Sequence, residues 1–214
     1  MERRCSKGFT LIELIVVIAV ISILAGTLIP LVSATQRARH IDTVLQELET
    51  IADALDSYYF ENGSFPSSLT ASGFYGSFLL PGVEDARIKD EWGGGYYKVF
   101  ASSDPDVMTV YSVGENGRDD GASSETFKVV VRGEHPGNRR TRERMRIIAS
   151  VLAVYLSGGG ILTGTWSTDR AAMGLGSEYQ KDGFGTDFTL SASTLLLRSA
   201  GADRSFNTSD DLTL

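Results

Sequence analysis

The chain has 214 residues, a length that fits one or two small domains. Its 42% hydrophobic and 22% charged residues are ordinary for a globular protein, and its formal net charge of −7 argues against nucleic acid as the main partner. The single cysteine, Cys5, lies close to the N-terminus, so the rest of the chain can form no disulfide, which suits an exported protein stabilised by other means.

An apolar stretch dominates the first part of the sequence. Residues 9–32 are almost wholly apolar, and as a helix they are long enough to cross a hydrocarbon core, which needs about 20 residues. Basic residues on the N-terminal side predict a cytoplasmic N-terminus, with the rest of the chain across the membrane. One acid, Glu13, interrupts the stretch, and because a carboxylate inside a bilayer costs about 3 kcal/mol, we expect Glu13 to have a partner.

The candidate partner of Glu13 is an N-terminal amine. If the chain were cut after Gly8, Phe9 would carry a new ammonium group that Glu13 could neutralise. The run Lys-Gly-Phe-Thr-Leu-Ile-Glu-Leu at 7–14 resembles the cleavage and methylation site of type IV prepilins and type II secretion pseudopilins. The resemblance implies that a membrane peptidase cuts after Gly8 and methylates Phe9. It also implies that Glu13 contacts the terminal amine of a neighbouring subunit in a filament.

Two other kinds of N-terminal segment share some of these features. A plain signal anchor explains the basic flank and the apolar run but leaves Glu13 unexplained. A secretory signal peptide could be cleaved after Ala34, but its apolar region is usually about 7–15 residues long and lacks an acid near its start. The prepilin interpretation accounts for the length, the basic flank and the acid together.

The helical pattern continues beyond the apolar stretch. Apolar residues recur at steps of three and four, which predicts an amphipathic helix with one apolar stripe. Pro30 is expected to kink this long helix or loosen its hydrogen bonding. Asn62 and Gly63, followed by Pro66, predict its end. The stripe consists of Val44, Leu45, Leu48, Ile51, Ala52, Leu55, Tyr58 and Tyr59.

Three short β-branched and aromatic runs follow a loop at 62–88. Tyr96–Phe100, Val107–Val113 and Phe127–Val131 are separated by turn residues, which predicts a small antiparallel sheet. The order of long helix, loop and three-stranded sheet resembles the major pseudopilin of type II secretion. We expect Trp92 to pack beside the helix as a core residue rather than to hold a ligand.

The second half of the sequence repeats the first. Three blocks keep their order, which chance rarely supplies. A second helix, from about Arg142 to Leu156, is too short to span a bilayer. The aligned blocks are 51–58 with 148–155, 89–96 with 181–188, and 111–116 with 198–203, and they place Phe184 opposite Trp92.

These patterns predict an α+β fold. A long N-terminal helix, membrane-spanning in its first half, packs on a small antiparallel sheet, and a second helix-plus-sheet copy of the globular domain follows. The expected divisions are a basic leader at 1–8, a transmembrane and filament-core helix at 9–32, a first globular domain at 33–131, a polar linker at 132–140, and a second globular domain at 141–214.

The acidic loops are the candidate metal sites. The loop after residue 199 supplies the carboxylate and carbonyl oxygens that calcium prefers, and it resembles the calcium loop of the major pseudopilin, where two aspartates lie seven residues apart. Asp203 and Asp210 have that spacing, and Asp211 could assist. Asx and glycine residues also simply make turns. The corresponding first loop departs from the pattern and is a weaker calcium candidate, through Asn116, Asp119 and Asp120.

Catalysis has no support in the sequence, so an enzyme is not expected. His40 and His135 lie in no triad or metal-ligand spacing. A basic cluster is expected to be a solvated surface at the start of the second helix, with partner docking as the alternative. It consists of Arg139, Arg140, Arg142, Arg144 and Arg146.

The sequence therefore predicts a structural pseudopilin-like subunit of the inner membrane. Its N-terminus is cytoplasmic and its globular domains are periplasmic. The resemblance implies processing by prepilin peptidase and assembly by inner-membrane machinery, with other pilin subunits, into a pseudopilus that drives type II protein secretion. The alternative is a minor or tip pilin whose extra domain binds a substrate, surface or partner protein.

Overall fold

The computed structural model describes residues 9–80, 89, 90, 92, 97–101 and 103–214, without the side chains at 27–31, 98 and 101. The predicted leader with Gly8, and the predicted repeat positions 91 and 93–96, lie outside the described residues. The chain divides into two compact units, one ending at Thr43 and one from Val44 to Leu214.

The first helix, α1, runs from Leu11 to Asn62. The prediction of its end is confirmed, since Gly63 adopts a left-handed φ of 73° and its amide donates to the Tyr59 carbonyl. The helical backbone continues through Pro30 without a break. Within the described residues, no helix combines the length and the apolar character needed to cross a membrane.

Three strands form the predicted first sheet. They are β1 (Lys98–Ala101), β2 (Val107–Tyr111) and β3 (Lys128–Arg132), antiparallel in the order β1-β2-β3. Val110 of β2 lies opposite Val99 and Val129. The observed strands lie within two residues of the predicted bounds.

The second half contains α2 (Glu134–Ser157), α3 (Trp166–Ala172) and a 3₁₀ turn at Ser177–Tyr179. A second antiparallel sheet follows, in the order β4-β5-β6. Its strands are β4 (Thr189–Leu190), β5 (Leu197–Ser199) and β6 (Leu212–Thr213).

The predicted linker at 132–140 is wrong as a secondary-structure assignment. Arg132 ends β3, and α2 begins at Glu134, eight residues before the predicted Arg142. Pro136 is tolerated because it lies in the first helical turn, where backbone N–H groups have no intrahelical partner. Gly137 is required by packing, since a Cβ built there would lie 2.3 Å from the Phe184 ring.

Each half buries its own apolar cluster. In the first, Leu48, Ile51 and Leu55 of α1 pack with Met108 and Val110 of β2, as the stripe predicts. In the second, the α2 residues Met145, Ile148 and Leu152 pack with Phe188 and Leu197. Full burial of such a side chain contributes about 1.5–3 kcal/mol, so these clusters stabilise α2 and the part of α1 from Val44 onward.

Candidate functional site

Thr10 and Glu13 cap the start of α1. The Glu13 carboxylate accepts hydrogen bonds of 2.8 Å from both the amide and the hydroxyl of Thr10. The Glu13 amide donates back to the Thr10 hydroxyl over 3.4 Å. This reciprocal arrangement is a capping box, which satisfies backbone donors that a helix start leaves free. Glu13 therefore has a local partner in the isolated chain, one that the Thr-x-x-Glu spacing could have indicated.

The first turns of α1 are apolar on every side. All described side chains from Phe9 to Gly26 are exposed, and the Phe9 side chain itself is 84% exposed. A helix that is apolar all round is stable only when an apolar environment surrounds it. Phe9 and Glu13 lie on one side of this segment, where they border a shallow apolar groove with Ile12, Val16 and Val17.

In the loop from Gly201 to Asp211, the predicted ligand Asp210 accepts from the backbone of Asp203, whose own carboxylate accepts from the Ser205 amide. The Asp203 amide donates to Asp210 Oδ2 over 3.0 Å, and the Thr208 hydroxyl donates to Asp210 Oδ1 over 2.6 Å. The Thr208 hydroxyl, followed by the Asp203 amide, holds the pKa of Asp210 below its ordinary value. A glycine is needed at 201 because its φ is 68° and a Cβ there would lie 2.4 Å from Asp210 Oδ2.

Asp211 shares the Thr208 hydroxyl with Asp210, over 3.3 Å, but has other partners as well. Its Oδ2 accepts hydrogen bonds from Arg198 over 2.6 Å and from the Asn207 amide over 2.9 Å. These bonds lower the pKa of Asp211, the Asn207 amide contributing most. Across the described residues, no three His, Cys, Asp or Glu side chains converge as a metal site.

The first acidic loop is organised differently. Asn116 Nδ2 donates to Asp120 Oδ2 over 3.1 Å, whereas Asp119 accepts from the Tyr111 hydroxyl. Lys128 Nζ donates to the carbonyl oxygens of residues 122 and 123 over 2.9 and 3.1 Å. An ammonium group therefore takes up two carbonyl oxygens of the kind that calcium would use.

An aspartate and a serine are paired in the same way in both halves. Ser112 donates to Asp90 Oδ2 over 2.9 Å, and Ser199 donates to Asp182 Oδ2 over 2.6 Å. Each serine hydroxyl accepts from the glycine amide two residues on. The other oxygen of each aspartate accepts from the backbone amide of Trp92 or of its aligned partner. All four residues are buried, which makes the pairs part of the core.

A buried network that the sequence did not indicate connects the two halves. Arg204 makes a bidentate ion pair with Asp106, with N–O distances of 2.7 and 2.8 Å. The Tyr59 hydroxyl donates to the same carboxylate, and burial, followed by this bond, raises the pKa of Tyr59. Asp106 and Arg204 are 98 residues apart, so no local pattern could have paired them.

The remaining residues of interest lie on the surface or against the core. His40 and His135 are exposed, although His135 lies in α2 rather than in a linker. Trp92 stacks on Phe127 with ring centroids 5.9 Å apart, and Phe184 is 2% exposed. Trp92 thus packs against the first core while half-buried, and its aligned partner Phe184 is fully buried.

Comparison with known proteins places this geometry in a family context. The family described as Prokaryotic N-terminal methylation motif matches residues 3–29, the segment that contains Phe9 and the capping box. In this N-terminal segment the chain is therefore similar to proteins that carry the prokaryotic N-terminal methylation motif.

Over a longer stretch, the chain is similar to the type II secretion system core protein G. The core protein G of Pseudomonas aeruginosa is 29% identical over 137 residues, covering 58% of this chain and 94% of that protein. The core protein G of Klebsiella michiganensis is 28% identical over 129 residues, covering 55% and 89%. The fimbrial protein of Neisseria meningitidis is 33% identical over 86 residues, covering 39% and 51%. No solved structure matches the chain.

Proposed function

We propose that the chain is a structural, pseudopilin-like subunit of a type II secretion pseudopilus, not an enzyme. The observation that carries this proposal is the combination of the N-terminal methylation motif with similarity over 94% of a type II secretion system core protein G. The membrane peptidase, the neighbouring subunits and the inner-membrane assembly machinery are its proposed partners.

The exposed apolar surface of α1 supports a transfer from lipid to protein. Before assembly, residues 9–32 would lie in the inner membrane, with the globular part in the periplasm. During assembly, the same apolar surface would leave the bilayer by packing against copies of itself. Glu13 would then exchange the Thr10 amide for the terminal ammonium of Phe9 in a neighbouring subunit, which would favour one axial stagger.

The processing step has a direct test. The protein is recovered from membranes, and its N-terminus is determined by intact mass and terminal peptide sequencing. We expect N-methylated Phe9 as the first residue, and an unprocessed chain in cells that lack prepilin peptidase. A first residue near Thr35 would instead identify a freely exported protein and exclude the filament role.

We further propose that residues 141–214 duplicate the first globular domain. The aspartate–serine pairs at aligned positions support this, as does the order of helix and three-stranded sheet in both halves. The match to core protein G uses only 58% of this chain, so the rest is additional to that protein.

The additional residues 141–214 favour the alternative role of a minor or tip subunit that binds a substrate, surface or partner protein, because the bulk packing of a filament tolerates extra mass poorly. Quantitative mass spectrometry of purified filaments separates the two roles. A few copies per filament would support the tip role, whereas bulk incorporation would support the major subunit.

Calcium at the loop from Gly201 to Asp211 is a separate proposal. Asp203 and Asp210 are the proposed carboxylate ligands because they lie seven residues apart in one acidic loop, and backbone oxygens of the loop would complete the shell. Calcium would replace the hydrogen bond from the Asp203 amide to Asp210. Asp211, which pairs with Arg198, would need to release it. The first loop is the weaker candidate, because Lys128 takes up two of its carbonyl oxygens.

Thermal unfolding with calcium and with a chelator tests the metal proposal. We expect calcium to raise the unfolding midpoint of the native chain and to have little effect on Asp210→Asn. Asp187→Asn removes the same charge outside the loop and is expected to keep the response. An equal response from all three proteins would contradict the assignment.

A further inference from the structure

Two arginines of the basic cluster lie in a cleft within the second compact unit. Arg140 and Arg144 are four residues apart on α2, which places them on one face of the helix. They line a cavity of about 170 Å³ that the α1 end at Asn62 and Gly63 closes on one side. The other residues of the cluster have different surroundings, since Arg139 pairs with Asp56 and packs on Phe60.

The Arg140 guanidinium has unused hydrogen-bonding capacity. Among the residues that the structure describes, it has no hydrogen-bond acceptor and no carboxylate at ion-pair distance. Glu61 attracts the guanidinium of Arg140 only from a longer distance. One terminal nitrogen of Arg140 lies close to Gly63, 3.1 Å from where a Cβ would stand at that residue. A guanidinium carries five N–H donors, so those of the half-buried Arg140 that reach the cleft are available to a bound acceptor.

Arg144 is only partly satisfied. One of its terminal nitrogens donates to the carbonyl oxygens of Lys181 and Asp182 over 2.6 and 3.1 Å. Burial lowers the pKa of both Arg140 and Arg144. The charge of Arg140 lowers the pKa of Arg144 further, whereas the nearby Asp182 and Glu178 raise it. Two like charges are thus held together in a partly desolvated cleft.

Among the described residues, no carboxylate lies at ion-pair distance from Arg140 or Arg144, and the nearby acids act on them from farther away. Asp182 is buried, and its two oxygens already accept from Ser199 and from the amides of Phe184 and Thr186. Glu178 is exposed at the rim. Lys181 is exposed and pairs with Asp187 over 3.0 Å.

We propose that the cleft between Arg140 and Arg144 binds a small oxyanion, either a phosphate or a carboxylate group. The two guanidiniums offer planar donor forks, which match the oxygens of such groups in geometry and charge. Binding would relieve the repulsion between the two arginines and supply the acceptors that Arg140 lacks.

Thermal unfolding of the full chain in detergent tests the proposal. Inorganic phosphate, several-fold above its dissociation constant, is expected to raise the unfolding midpoint by about 2–4 °C relative to chloride at equal ionic strength. Arg140→Gln should lose this shift. Arg142→Gln removes the same charge from an exposed position on the same helix and should keep it.

A second arm identifies the source of the anion and guards against misfolding. N-acetylglutamate replaces phosphate as a carboxylate probe, and a larger shift with it than with phosphate would assign the cleft to a carboxylate rather than a phosphate group. Arg140→Lys keeps the charge but loses the planar fork, and we expect at least threefold weaker anion affinity. Absence of an anion-specific shift with both probes, or unchanged affinity in Arg140→Lys, would overturn the proposal.

Discussion

Thr10 and Glu13 illustrate how one carboxylate can serve two states of a protein. In the single chain, the Glu13 carboxylate accepts from the Thr10 amide and hydroxyl. Because of these local hydrogen bonds, the Glu13 carboxylate is not left unpaired before it meets a more strongly bound partner. The proposed ammonium of Phe9 in a neighbouring subunit would be that stronger partner.

Glu13→Gln is therefore expected to be cleaved normally but to enter filaments poorly. The amide keeps one acceptor oxygen but loses the charge that would pair with an ammonium. Filament content is measured by shearing cells and quantifying the subunit in the sheared fraction. Thr10→Ala is the matched control, because it removes a capping side chain, worth about 0.5–2 kcal/mol, and leaves the Glu13 charge in place. Normal incorporation of Glu13→Gln would remove the basis of the registry role.

At the scale of elements, α2 depends on close contact with the loop that precedes β4. Gly137 lies against Phe184, and Gly183 lies against the backbone of Gly137, where an added Cβ would approach its carbonyl oxygen to 2.0 Å. The Gly183 amide also donates to the Thr141 hydroxyl over 2.8 Å. The helix and the loop thus pack with almost no side-chain volume between them.

Gly137→Ala is expected to lower the free energy of unfolding by about 1–3 kcal/mol, the usual cost of overpacking a core. The greater helix propensity of alanine would offset this by up to about 1 kcal/mol. Denaturant unfolding followed by circular dichroism measures the difference. Ser150→Ala, at an exposed position of the same helix, should change the stability little. A stabilised Gly137→Ala protein would mean that Phe184 can move away at no cost.

The sequence predicted the elements that follow a simple period and missed those set by packing. The apolar stripe of α1 and the β-branched runs repeat at fixed steps, so both were located within a few residues. The start of α2 was missed because Pro136 and Gly137 are also typical of linkers. Whether Pro136 and Gly137 fit a helix depends on their position in its first turn and on contact with Phe184, which is distant in the sequence.

The same limit applies to the candidate sites. The Thr-x-x-Glu signature of the cap was present and could have been found. The pairing of Asp106 with Arg204, and the cleft of Arg140 and Arg144, depend on how the second half folds back on the first. No pattern within one element contains that information.

At the scale of the whole molecule, the two halves form one compact unit from Val44 to Leu214. The network of Tyr59, Asp106 and Arg204 contributes one residue from α1, one from the turn before β2 and one from the second acidic loop. The Asp106 side chain is only 7% exposed, whereas that of Arg204 is 34% exposed. Asp106 therefore depends on its partners more than Arg204 does.

Arg204→Gln is expected to lower the free energy of unfolding by about 1.5–3 kcal/mol, because it leaves the buried Asp106 carboxylate with the Tyr59 hydroxyl and no cation. Arg146→Gln, which removes an exposed arginine from α2, is the matched control and should have little effect. Combining Arg204→Gln with Asp106→Asn should cost less than the sum of the two single changes, since the second change removes the charge that the first leaves unpaired. Denaturant unfolding of the native chain, the two single variants at 204 and 106, and the double variant measures this coupling. Strictly additive effects would show that the ion pair does not join the two halves energetically.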